Sequence, residues 1–120
     1  MKSFIISLIL FILLISTIFG NAFYVKEVSK RIVSDTKTLE ESNYSPQRIR
    51  DLEKYWEKHR GFIGLSVGHD ELDRISESII SLKASCESGN ISDAELYLLI
   101  LQDLVKEMGR HEELSLENLF

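Results

Sequence analysis

Residues 4–33 read FIISLILFILLISTIFGNAFYVKEVSKRIV, and this stretch decides the fold. Its first part, Phe4 to Phe19, carries no charge, and 13 of its residues are Leu, Ile or Phe. Only Ser7, Ser16 and Thr17 interrupt it, and their hydroxyls can bond back to helix carbonyls. At roughly −0.3 to −0.6 kcal/mol for each apolar residue at a helix centre, transfer into a bilayer is favourable by about 4 to 8 kcal/mol as an upper bound. Sixteen residues rise about 24 Å, and continuing through Ala22, Phe23, Tyr24 and Val25 gives about 33 Å, enough to cross the hydrocarbon core. Phe23 and Tyr24 then fall at the interfacial depth and Lys26 marks the exit into water.

The second part sets the course of the chain beyond the anchor. Val25, Val28, Ile32 and Leu39 recur at intervals of three, four and seven, so one helix continues from the apolar segment into the polar body. A cleaved signal peptide is the competing reading, since Gly20 and Ala22 resemble a small-residue cleavage pattern. A cut there truncates a continuing helix, so the expectation is a transmembrane signal-anchor over residues 1–25 and a helical bundle over 26–120.

Orientation depends on two opposed considerations. Lys26, Lys30, Arg31 and Lys37 outweigh Lys2 and the amino terminus, which by charge alone keeps the body in the cytoplasm. A short basic head before an apolar helix is, however, how bacterial signal anchors begin, and long domains translocate largely regardless of charge. The expectation is a single-pass protein of a bacterial cell membrane with an extracytoplasmic body.

Of 120 residues, about 95 remain for that body, enough for one modest core. Removing Lys2 from the 14 basic residues leaves 13 against 19 acidic ones, so the body carries about −6 and disfavours nucleic acid. The single Cys86 excludes an intramolecular disulfide and reads as a small core residue.

Helix boundaries come from capping chemistry. Ser45 before Pro46, with Tyr44 and Ile49 at the staple positions, starts a helix at Pro46. Ser92 and Glu95 form a capping box after Ser88-Gly89-Asn90, starting the last helix at Ser92 or Asp93. Between these points Ile49, Leu52 and Trp56 form one stripe, and Leu72, Ile75, Ile79, Leu82 and Cys86 form another. Gly61, Gly64 and Gly68 each cost about 1 kcal/mol relative to Ala in a helix, so a kink or break is expected at 61–68. The expected fold is all-α, an N-terminal transmembrane helix continuing into an antiparallel three-helix bundle, with helices over about 26–42, 46–86 and 92–113.

The last helix places Tyr97, Leu101, Leu104 and Met108 on one seam, yet Leu96 to Leu101 is apolar on all sides. That surplus, together with the apolar tail residues Leu116, Leu119 and Phe120, gives the candidate partner-binding set: Leu96, Leu99, Ile100, Leu116, Leu119 and Phe120. His69, Asp73 and His111 are weak candidates for a metal, because His69 and Asp73 lie one helical turn apart but need a third ligand from the last helix. The plainer reading pairs Asp70 and Glu71 with the positive end of a helix that begins after Gly68. Trp56, Tyr55 and His59 admit a ligand-stacking surface, although a tryptophan on an apolar stripe usually belongs to the core. No nucleophile–base pair or phosphate-cradling glycine loop is present, so no catalytic activity and no cofactor is expected.

The Met1-Lys2 start before the apolar helix, Trp56 ahead of the string His69 to Asp73, and the ending Ser115-Leu116-Glu117-Asn118-Leu119-Phe120 together resemble the bacterial family called domain of unknown function 4363. The resemblance covers the whole chain. It implies small proteins with an N-terminal membrane helix, and genes that neighbour one for a multi-pass membrane protein. It implies no catalytic residues. The expected function is a non-catalytic, membrane-anchored accessory or scaffolding subunit. It would contact lipid through residues 3–25 and a multi-pass membrane protein or a second copy through its body. The alternative is an extracytoplasmic ligand- or metal-sensing domain using the His69 region.

Overall fold

The computed structural model describes residues 1–119, apart from the side chains of residues 115, 116 and 119. The chain is all-α: α1 spans Lys2–Glu41, α2 Pro46–Ile63, α3 His69–Ser88 and α4 Ile91–Leu119. α1 is one unbroken helix, as the pattern running through Ala22 required. Its residues 2–20 are exposed to solvent apart from half-buried Ile15, and the Thr17 hydroxyl donates back to the Leu13 carbonyl at 2.9 Å. Burial begins at Asn21, so residues 21–25, expected to serve only as anchor, also belong to the bundle: Ala22 and Val25 are buried against it.

The bundle is antiparallel with short connections, and each helix packs on its neighbours in the chain while α4 closes onto α1. It contains four packed segments where three helices were expected, because the long middle helix divides inside the anticipated weak stretch. α2 ends at Ile63 with Gly64 as its cap, and the amides of Leu65, Ser66 and Val67 bond to the carbonyls of Phe62 and Ile63 in a tight turn before α3 begins after Gly68. The turn brings Ile63 and Val67 inward, both buried. Only Gly64 is short of space there: a β-carbon would stand 3.3 Å from Leu72 Cδ1 and from the Gly61 carbonyl oxygen.

Periodicity located the buried faces of the first three helices. Val25, Val28, Ile32 and Leu39 of α1, Ile49, Leu52 and Trp56 of α2, and Leu72, Ile75, Ile79, Leu82 and Cys86 of α3 all lie in one core. In α4 the buried seam is Ala94, Leu98, Leu101, Val105 and Met108, with Tyr97 and Leu104 only half-buried at its edge. The expected seam was thus displaced around the helix. Residues 96–101 are apolar in every direction, so their own pattern cannot choose a face and the neighbouring helices choose it.

The caps differ in detail from expectation. α4 starts at Ile91 because Asn90, not Ser92, is its cap: Asn90 Oδ1 accepts from the Asp93 amide at 3.1 Å, and its Nδ2 donates to Asp93 Oδ2 at 2.8 Å. Gly89, at φ +73°, takes the left-handed conformation that closes α3. Ser45 occupies the cap of α2 without a side-chain capping bond, and its backbone carbonyl accepts from the Arg48 and Ile49 amides. α4 continues to Leu119, so the expected tail after residue 113 is a continuation of that helix.

Candidate interaction surfaces

The α1–α4 contact fixes how the body stands relative to the apolar helix. Gln102 Nε2 donates to Thr36 Oγ1 at 3.0 Å, Ser29 Oγ donates to the Val105 carbonyl at 2.8 Å, and Lys26 Nζ meets Glu113 at 3.5 Å. α4 therefore runs back down α1, towards the uncovered apolar segment. Gly109 makes the approach possible, since a β-carbon there would lie 2.8 Å from Ser29 Oγ.

On the outward side of α4, Leu96 is 53%, Leu99 63% and Ile100 39% exposed. These three candidate contact residues form a surface at the end of the bundle far from the apolar helix, because they precede Gln102, which faces Thr36, by about one turn. Phe120 and the side chains of Leu116 and Leu119 lie outside the described residues.

The metal candidates are not brought together. His69 and Asp73 are exposed, while His111 lies 3.6 Å from Glu71 and 3.7 Å from Glu107. Asp70, Glu71, Arg74, Glu107 and His111 line an open cleft of about 450 Å³ that His69 does not reach. Among the described residues, no group of three or more His, Cys, Asp or Glu side chains has the arrangement to hold a metal ion. A second open groove, between α1 and α4, is lined by Lys26, Lys30, Lys37, Lys106 and Arg110. Three of these cations already face acids, Lys26 to Glu113, Lys30 to Glu27 and Arg110 to Glu107, so the groove is less basic than its lining suggests.

Trp56 is completely buried, and its Nε1 donates to Ser76 Oγ at 2.8 Å, which removes it from any ligand surface. Tyr55 and His59 belong instead to a cluster that sequence spacing did not suggest. The His59 ring lies 4.3 Å from that of Tyr55, its Nδ1 pairs with the Tyr24 hydroxyl, and Phe62 presents an edge contact to Tyr24 at 4.8 Å. The Arg31 guanidinium covers the Tyr55 ring at 5.1 Å. Beside this cluster Asn21 Nδ2 donates to the Phe62 carbonyl at 3.3 Å, tying the end of α2 to the point where α1 enters the bundle.

Burial holds the His59 imidazole below its usual value of 6.5, and the nearby charges of Lys58 and Arg31 lower it further. The unfolded chain therefore binds more protons than the folded one between that lowered value and 6.5. Stability from this group is present above 6.5 and is lost as pH falls through the window. The Glu112 carboxyl is shifted upward, first by burial, and works in the opposite direction above 4.5. Comparing the intact protein with His59→Phe isolates the histidine. In detergent, between about pH 7.5 and 5, the variant should lose less melting temperature than the parent; parallel curves would exclude His59 as a source of acid sensitivity.

These features define an all-α bundle carried on a helix long and apolar enough to cross a membrane. The chain belongs to the family described as Domain of unknown function (DUF4363), whose model matches residues 19–119. The match starts within one turn of Asn21, where burial in α1 begins. No curated protein and no solved structure matches the chain.

Proposed function

We propose that this protein is a membrane-anchored, non-catalytic accessory subunit that binds a membrane protein partner through the outward face of α4. The observation that carries this reading is the exposed trio Leu96, Leu99 and Ile100 on a body joined without a break to an uncovered apolar helix. Three large apolar side chains within two turns are costly to leave in water, because each contributes about 1.5 to 3 kcal/mol when fully covered. The α1 helix tethers the bundle to a bilayer and carries these side chains at its far end, where the extramembrane portion of a membrane protein can reach them. The double substitution Leu96→Glu and Leu99→Glu should abolish co-purification of a membrane protein from mild detergent while leaving the melting temperature of the subunit within about 2 °C. Retained co-purification would remove this face from the proposal. A disulfide between two copies carrying Leu99→Cys would make the partner a second copy of this chain.

The proposed orientation places the bundle outside the cell, since a body of this length can translocate despite Lys26, Lys30 and Arg31. Protease added to intact protoplasts should then digest the bundle. Protection until lysis would reverse the orientation.

A further inference from the structure

We infer that the α2–α3 turn is a bilayer-contacting element, in which Phe62 and Leu65, with Phe23 of α1 at the same depth, enter the headgroup region where α1 leaves the hydrocarbon. The inference rests on the reading that α1 spans the membrane, and it adds a second, lipid contact to that anchor.

Its geometric basis is the absence of any spacer between the apolar helix and the bundle. The exposed part of α1, residues 2–20, rises about 28 Å, close to the thickness of a hydrocarbon core of about 30 Å. The first buried residue, Asn21, is the next one. Asn21 binds the Phe62 carbonyl, so the end of α2 lies at the depth where α1 emerges, and the turn after it cannot stand clear of the lipid surface. At that depth the protein exposes large apolar side chains: Phe23 is 65%, Phe62 52% and Leu65 73% exposed. Such residues are poorly suited to water and well suited to an interface populated by acyl-chain ends and headgroups.

The backbone of the turn is prepared for the same environment. The amides of Leu65, Ser66 and Val67 are all bonded within the turn, so moving it out of bulk water leaves none of these donors unpaired. Tyr24 and His59 form a half-buried aromatic layer behind Phe62, with a polar pairing of the hydroxyl and the imidazole, as suits an interfacial position. Penetration is limited, because His69 and Asp70 come directly after the turn and are exposed. The element therefore rests at headgroup depth. Its contact is apolar, so it requires no anionic lipid.

The test uses the full chain with Cys86→Ala, reconstituted in phosphatidylcholine vesicles, with single cysteines carrying an environment-sensitive fluorophore. Labels replace Leu65, Phe62, Leu10 and Ser92 in separate variants, and quenching is read with lipids brominated high or low on the acyl chain. The expected result is about twofold quenching at Leu65 and Phe62, stronger from the high bromines, with Leu10 quenched by the low bromines and Ser92 unaffected. Leu10 quenched while Leu65 and Phe62 behave like Ser92 overturns the inference and leaves the anchor standing. Leu10 unquenched overturns both. Quenching at Ser92 equal to that at Leu65 also overturns the inference, because the contact would then not belong to the turn.

Discussion

Replacing Trp56 with Ala should lower the melting temperature of the detergent-solubilised protein by more than 10 °C, the largest effect expected of any single substitution in α2. Trp56 is completely buried, and truncating such a side chain costs about 3–5 kcal/mol through lost contacts and the cavity left behind. One kcal/mol corresponds to about 4–8 °C in a domain of this size, so the bundle should melt at least about 12 °C lower. Trp56→Phe separates packing from hydrogen bonding. It keeps most of the apolar volume and loses the bond from Nε1 to Ser76, while Ser76 Oγ still accepts from Arg60 at 3.1 Å. Its cost should be nearer 1 kcal/mol than 4. Circular dichroism of both variants checks this, read as the transition of the bundle, because the uncovered part of α1 keeps its helicity in detergent. Equal losses for Ala and Phe would mean that the bond to Ser76, and not the buried ring, holds α2 to α3.

The second large effect is expected at Gly109. In a helix interior Gly→Ala normally stabilises by about 1 kcal/mol, because the glycine backbone has more freedom to lose. Here the sign should reverse. The added β-carbon would stand 2.8 Å from Ser29 Oγ and 3.1 Å from Ser29 Cβ, and that hydroxyl is engaged with the Val105 carbonyl. α1 and α4 must then separate or Ser29 must release its bond, and overpacking of this kind costs about 1–3 kcal/mol. Gly109→Val, with two further carbons, should cost more. Ser29→Ala removes the closer of the two obstructing atoms, so Gly109→Ala should be less harmful in that background. A double-mutant cycle with a coupling above about 0.5 kcal/mol is expected. Strict additivity, or a stabilising Gly109→Ala, would show that the two helices have slack at this crossing.

Most of this architecture can be read from local residue chemistry. The apolar run from Phe4 to Phe19 and the stripe from Val25 to Leu39 specify a single helix passing out of an apolar segment, because both signals depend only on composition and on a period of 3.6. The same period identifies the buried faces of α2 and α3, where polar residues occupy the other sides and leave one consistent solution. The glycines at 61, 64 and 68 located the weak stretch correctly. They did not decide whether it would bend or divide, since that depends on whether Ile63 and Val67 find a core when the chain turns. The start of α4 was misplaced by one or two residues for a related reason. Asn90 and Ser92 both offer capping oxygens, and the left-handed conformation at Gly89 aims Asn90 at the Asp93 amide.

The sequence by itself therefore determined the helical class, the apolar first helix and its continuity with the body, and the buried stripes of α1 to α3, because each of these is set by residues close together in the chain. Only the tertiary structure decided which side of α4 is buried, that Leu96, Leu99 and Ile100 remain outside, and that Ser29 and Gly109 set the closest approach of two helices. It also decided that the α2–α3 turn comes to lie where α1 enters the bundle, with Tyr24, Tyr55 and His59 gathered beside it. The physical reason is the same throughout: these arrangements join residues tens of positions apart, and their energies depend on packing between helices, to which no local period or capping pattern is sensitive.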